Sequence, residues 1–275
     1  MAPLTVLHVS DLQCGSPFLP QAAEAMIRLA DRIAPDVIVA SGDLTQRAKV
    51  REFALARSIL DRLGPAPMVL TPGNHDVPLY RVWERLASPF RNWRAFAGEE
   101  LDTVRRVPGA TFVALNSAAP RRAIVNGRID PRQVEFAHSA FEGAPRSDIR
   151  VLVVHHHFVP VPSGEGSRPL PGAERLATQF ARMGVDVVMG GHVHQLHIRS
   201  SAGLPFVATG TATSRRGRGD ETGWNSLCVH RFAATTLEVT PFRRAPQAEE
   251  FEPTDPVHFS LRSRSPGAAG SEVFH

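Results

Sequence analysis

Short apolar runs alternate with amphipathic segments through the first two thirds of the chain, and this alternation most narrows the folds open to it. Leu4–Val9, 36–40 and Met68–Leu70 read as strands. Between them, Met26, Ile27, Ala30, Ile33 and Ala34 recur at helical spacing, and Phe53, Ala56, Ile59, Leu60 and Leu63 mark a second helix stopped by Gly64 and Pro65. A helical region over 80–97 broken near Pro89, a strand at 111–115 and a helix at 131–141 continue the pattern. Strands at 149–154 and 185–189 follow, with a helix near 173–183 between them. Beyond His194 the texture changes, and 196–200, 204–208, 226–232 and 235–240 read as strands joined by turns. A βα-rich half followed by a β-rich half predicts an α/β fold, a four-layer α/β/β/α sandwich. Prolines, charges and a Ser/Arg/Gly run predict a poorly ordered tail over 245–275, which leaves 1–244 as one domain.

The polar residues of interest recur where the apolar runs stop. Asp11, Asp43, Asn74, His155 and His192 each follow such a run within a few residues. Strand ends gathered on one sheet edge are where α/β proteins place their chemistry. Each residue also has an ordinary reading: an Asp after a strand caps or turns the chain, Asn74 serves a Pro-Gly-Asn turn, and His192 and His194 alternate along a strand. Their joint occurrence is what points to a metal site.

The pieces are Asp11-Leu12-Gln13, Gly42-Asp43, Gly73-Asn74-His75-Asp76, His155-His156-His157 and Gly191-His192-Val193-His194. In this order they resemble the calcineurin-like metallophosphoesterase family, over 4–242. Gly210-Thr211-Ala212 and Asn225-Ser226 resemble its bacterial class III cyclic nucleotide phosphodiesterase-like branch. The resemblance implies two transition-metal ions, with Asp43 bridging them. Asp11, position 13 and His194 would complete one site; Asn74, His155 and His192 would complete the other. Mixed oxygen and imidazole donors suit Mn, Fe or Zn. His75 would face the substrate as phosphate binder or general acid, with Asp76 orienting it or its loop. In the triple-histidine run, Pro160 fits the family loop best if His155 is the ligand, with His156 the fallback. The family has histidine two residues after its first aspartate, where this chain has Gln13. An amide oxygen is a poorer donor than imidazole for most of these metals. Gln13 is thus a weaker ligand, the holder of a metal-bound water, or the mark of a metal-poor relative. His197 is a candidate to line the site, and the Arg215-Arg216-Gly217-Arg218 run reads as a solvated turn or a contact to the leaving group.

The implied reaction is hydrolysis of a phosphodiester, a cyclic nucleotide or similar small diester, by a metal-activated hydroxide. Phosphomonoesterase and nucleotide-linked pyrophosphatase activities use the same core, and a non-catalytic phosphate-binding scaffold is the alternative outside enzymes. Net charge is only +4 and no long basic or aromatic-interleaved tract is present, which argues against nucleic acid. Lys49 is the single lysine, so positive charge is almost all arginine, a bias open to phosphate recognition or to codon usage. Two cysteines, Cys14 and Cys228, make no disulfide framework, and no stretch reaches membrane-span length; the expected location is cytoplasmic.

Overall fold

The computed structural model describes residues 3–122, 125–161 and 168–262. Strands β1 (Leu4–Val9), β2 (Val37–Ala40) and β3 (Met68–Leu70) lie parallel, with α1 (Pro20–Ile33) and α2 (Val50–Leu60) making the crossovers. Helix α1 begins at Pro20, whose fixed φ suits a first helical position. It ends at Ala34, in left-handed backbone just before Pro35. Every residue of β2 is buried, as a parallel strand covered on both faces must be.

The chain then passes through α3 (Val82–Ala87) and α4 (Arg91–Ala97) into a second sheet. This contains β4 (Thr103–Val107), β5 (Ala110–Leu115), β6 (Ile149–Val154), β7 (Val187–Gly190), β8 (His197–Ser201) and β9 (Leu204–Ala208), in the order β4-β5-β6-β7-β9-β8. Helices α5 (Pro131–Glu142) and α6 (Ala173–Arg182) link its parallel central strands. Helix α5 starts where sequence chemistry requires: Pro131 takes the first position, and the Gln133 side-chain oxygen accepts the Asp130 N–H at 2.9 Å. Strands β10 (Asn225–Phe232) and β11 (Thr236–Arg244) return to the first sheet, β10 running antiparallel to β1.

Three apolar layers hold the four structural layers together. Val6, Val39 and Val69 meet Phe112, Val151 and Met189 between the sheets. Met26, Leu29 and Phe53 cover the outer face of the first sheet, and Phe141 and Phe180 that of the second. This is the α/β/β/α sandwich expected from the alternation.

Two features lie outside the sequence pattern. Strand β4 was not anticipated, because its central Arg105 and Arg106 are exposed on an edge strand, where charge hides the period and blocks edge-to-edge pairing. The tail is ordered as far as Ser260: β12 (Glu252–Pro253) and β13 (Val257–Ser260) pair with β11, and Phe251 and Leu261 are buried. The polar composition of this stretch is that of exposed edge strands. The Ser/Arg/Gly run from 263 and His275 lie outside the described residues.

Candidate metal centre

The C-terminal ends of β1, β2, β3, β6 and β7 bring the motifs to one edge, where the two sheets are tied together. The Ser41 carbonyl, after β2, accepts the His155 Nδ1–H at 2.7 Å, and the His155 carbonyl accepts the Gly191 N–H at 3.0 Å. The loops after β1 and β2 run side by side, with Asp11 N–H on Gly42 O and Gln13 N–H on Asp43 O. Asp11, Gln13, Asp43, His192 and His194 all adopt positive φ, between 52° and 74°. Non-glycine residues hold that conformation only where surrounding structure forces it, and such strain gathers at functional sites. Gly191 is required for a different reason: a Cβ there would lie 1.9 Å from Ser10 Oγ and 2.4 Å from Asp11 Oδ2. Gly191→Ala should therefore displace Asp11 and lower metal affinity by at least about tenfold, the lower range for disturbed supporting groups. Titration of Mn²⁺ checks this, and unchanged affinity would mean that Asp11 is not a ligand.

Ligand atoms of Asp11, Asp43 and His194 lie within 4.8 Å of one another, all three residues buried. His194 Nε2 is 3.1 Å from Asp11 Oδ1, and His155 Nε2 is 3.4 Å from Asp43 Oδ1. The His192 ring centroid is 5.1 Å from that of His155. Asn74 is held beside Asp43, whose Oδ1 accepts the N–H of the next residue, His75, at 2.7 Å. Beyond those two ion-pair contacts, Asp11 Oδ1 and His155 Nε2 make no hydrogen bond, and buried Asn74 Oδ1 makes none. Leaving a buried oxygen such as Asn74 Oδ1 unsatisfied costs about 1–3 kcal/mol, and oxygen and imidazole donors of this kind are what transition metals bind. The residues fit a metal centre.

Charge holds His192 and Asp43 in the forms that ligate, and pairs His155 with Asp43. Burial, then the neighbouring His156 and His155, holds His192 well below the ordinary histidine range, in the neutral form that ligates. Burial pushes His155 down, but the adjacent Asp43 carboxylate overrides it and brings the ring up to about 9. Burial opposes ionisation of Asp43; the facing His155 and His75 prevail and hold it well below the carboxylate range. His156 donates or accepts at Ser117 Oγ, 2.7 Å away, on the other side of the run. That leaves His155 as the member of the triplet nearest Asp43, and His157 stacks on His192 at 5.7 Å.

Position 13 takes a form the sequence did not suggest. Gln13 Nε2 donates to Asp43 Oδ2 at 2.9 Å, while its Oε1 accepts from Arg216 Nη1 at 3.0 Å. The same Nη1 lies 3.2 Å from His75 Nε2. His75 Nδ1–H donates to the Gln46 carbonyl at 2.8 Å, which points Nε2 into the site. Asp76 pins the loop: its carboxylate accepts from the N–H groups of Leu44, Thr45 and Gly73. Burial, then the charge of Asp43, brings its carboxyl up to about 7. Arg216 thus belongs to the site rather than to a solvated turn. Its signal in sequence was the Gly210-Thr211-Ala212 motif just before it, whose Thr211 hydroxyl donates to the Asp11 carbonyl at 2.7 Å.

Behind the cluster, buried His8 donates or accepts at Ser41 Oγ, 3.0 Å away, and lies 3.3 Å from His230. Burial, then the charge of His230, holds His8 well down, and burial brings His230 down to about 3. From about 6.5 downward the unfolded chain takes up a proton that folded His230 refuses until about 3. Its contribution is complete above 6.5 and is lost as pH falls, at about 1.4 kcal/mol per pH unit. In metal-free protein, His230→Leu should flatten the acid side of the urea-stability profile by up to that slope. Identical slopes for wild type and variant would contradict a neutral buried ring.

Among the described residues, no helix is long and apolar enough to cross a membrane. A probable cyclic nucleotide phosphodiesterase of Psychrobacter is 25% identical over 189 residues, 66% of this chain and 53% of that protein. A purple acid phosphatase from yellow lupin seeds superposes with a TM-score of 0.68 at 14% identity, covering 94% of this chain and 54% of its own. The chain thus spans about half the length of both. GAP50, the anchor in the inner membrane complex of Plasmodium, superposes with a TM-score of 0.67 at 11% identity, covering 97% of this chain and 91% of its own. At such identities these structures speak for the fold alone. The profile of the calcineurin-like phosphoesterases matches residues 4–196, and the chain belongs to that family.

Proposed function

We propose that the chain is a phosphodiesterase with a dinuclear metal centre, acting on a small diester such as a cyclic nucleotide. The observation that carries the proposal is the buried cluster of Asp11, Asp43 and His194, with His155 against Asp43 and the buried Asn74 Oδ1 without a hydrogen-bond partner. Asp43 would serve both cations, Asp11 and His194 completing one site and Asn74, His155 and His192 the other. When bound, a cation pair supplies an activated water and neutralises charge on the phosphoryl oxygens. His75 Nε2, fixed by the Nδ1 contact to Gln46, would bind the phosphate or protonate the departing oxygen. The diester preference is supported by the name of the Psychrobacter relative.

Gln13 favours a second reading, a phosphate-binding scaffold with a depleted metal site, because its oxygen is held by Arg216. A Mn²⁺-supplemented panel of cyclic nucleotides, bis-p-nitrophenyl phosphate and p-nitrophenyl phosphate separates the readings. Turnover of diesters above the monoester is expected. Faster monoester turnover would make the protein a phosphomonoesterase, and no turnover with one metal ion or none would favour the scaffold.

A further inference from the structure

Arg216 carries more than a turn requires, in an inference that rests on the phosphoesterase reading above. It sits on a strap between β9 and β10 that is tied down along its length. Ala212 N–H donates to the Ser10 carbonyl, Thr211 and Thr213 hydroxyls to the Asp11 and Leu12 carbonyls, and Asn225 Nδ2 to the Ser214 carbonyl. The Arg216 carbonyl itself fixes His194 through Nδ1, at 3.0 Å. The guanidinium is thereby delivered to a set place, with Nη1 on Gln13 Oε1 and His75 Nε2. Neither of these groups is a carboxylate. Among the described residues the guanidinium has no carboxylate partner, and Nε and Nη2 meet no protein acceptor.

A half-buried guanidinium without a counter-ion, beside a centre built for cations, is electrostatically unfavourable until an anion arrives between them. Its open Nε and Nη2 present the planar fork that matches two phosphate oxygens. We propose that Arg216 is the substrate-anchoring cation of this site, taking the non-bridging oxygens of the phosphate, and that Gln13 is its positioning partner rather than a metal ligand. Glutamine suits position 13 because its carboxamide joins two groups of opposite demand: Oε1 accepts from Arg216 while Nε2 donates to Asp43. Histidine, with one hydrogen-bonding atom on each side of a shorter ring, could ligate a metal there but would not bridge this pair in the same way.

Calorimetric titration of inorganic phosphate into Mn²⁺-loaded protein, with the metal content of each sample measured, tests the assignment. Arg216→Ala should weaken phosphate binding by about tenfold or more, the scale of lost hydrogen bonds to a charged group, and Arg216→Lys should recover part of it. Metal content should stay at the wild-type level, and with bis-p-nitrophenyl phosphate KM should rise more than kcat falls. Arg216→Met, neutral and similar in length, carries the test if the alanine variant does not fold. Phosphate affinity within twofold of wild type, or loss of metal in the Arg216 variants, overturns the proposal. If wild-type protein hydrolyses diesters and only the Arg216 variants match it, the anchor alone fails; if wild type neither binds phosphate nor turns over any ester, the phosphoesterase reading fails with it.

Discussion

Asp43→Ala should abolish turnover and metal uptake together. The carboxylate is fully buried and reaches three groups of the centre: His155 Nε2 at 3.4 Å, His75 N–H at 2.7 Å and Gln13 Nε2 at 2.9 Å. Alanine removes a donor common to both proposed cations and leaves two imidazoles and an amide facing a void. Loss of groups that merely support a ligand costs about 10–100-fold in metal affinity, so loss of a shared ligand should exceed about 100-fold. Elemental analysis after dialysis against Mn²⁺, with bis-p-nitrophenyl phosphate turnover on the same samples, checks both parts. A variant that keeps its metal but loses activity would make Asp43 a substrate-facing group. One that keeps both would remove the centre from the account.

The second large effect separates chemistry from metal binding. His75→Ala should lower kcat by about 10²–10⁴, the usual worth of a positioned proton donor, with metal content unchanged. The ring is held through Nδ1 by the Gln46 carbonyl, and its Nε2 lies 4.0 Å from Asp43 Oδ2, beyond hydrogen-bond distance. A diester with a better leaving group should narrow the deficit, because less proton donation is then required. Loss of metal in this variant would show that His75 ligates instead, and equal deficits across leaving groups would remove it as the acid.

Much of this was legible in the sequence because period and punctuation coincide. The parallel strands read as unbroken apolar runs, and the glycines and strand-end acids fall where those runs stop, so the edge carrying Asp11, Asp43 and His192 follows from local pattern. Side-chain reach is what the pattern lacks. Arg216 lies 203 residues from Gln13 in the chain, and nothing in the Arg215–Arg218 run distinguishes the arginine that turns inward from the one that faces water. Only the tertiary anchoring of Thr211 and Thr213 to the Asp11 loop makes that choice. Gln13 was read as a weaker ligand, a holder of metal-bound water or the mark of a metal-poor relative; that its amide lies between Asp43 and Arg216 is a matter of tertiary placement. Strands β12 and β13 were missed for a simpler reason: exposed edge strands carry the polar composition of a tail.

The central claim is a cation pair gathered by Asp43. Crystals grown with Mn²⁺ and measured for anomalous scattering test it most directly. Two peaks about 3.5–4 Å apart, one on each side of the Asp43 carboxylate, are the result predicted. No peak, or a single one out of reach of Asp43, would contradict it.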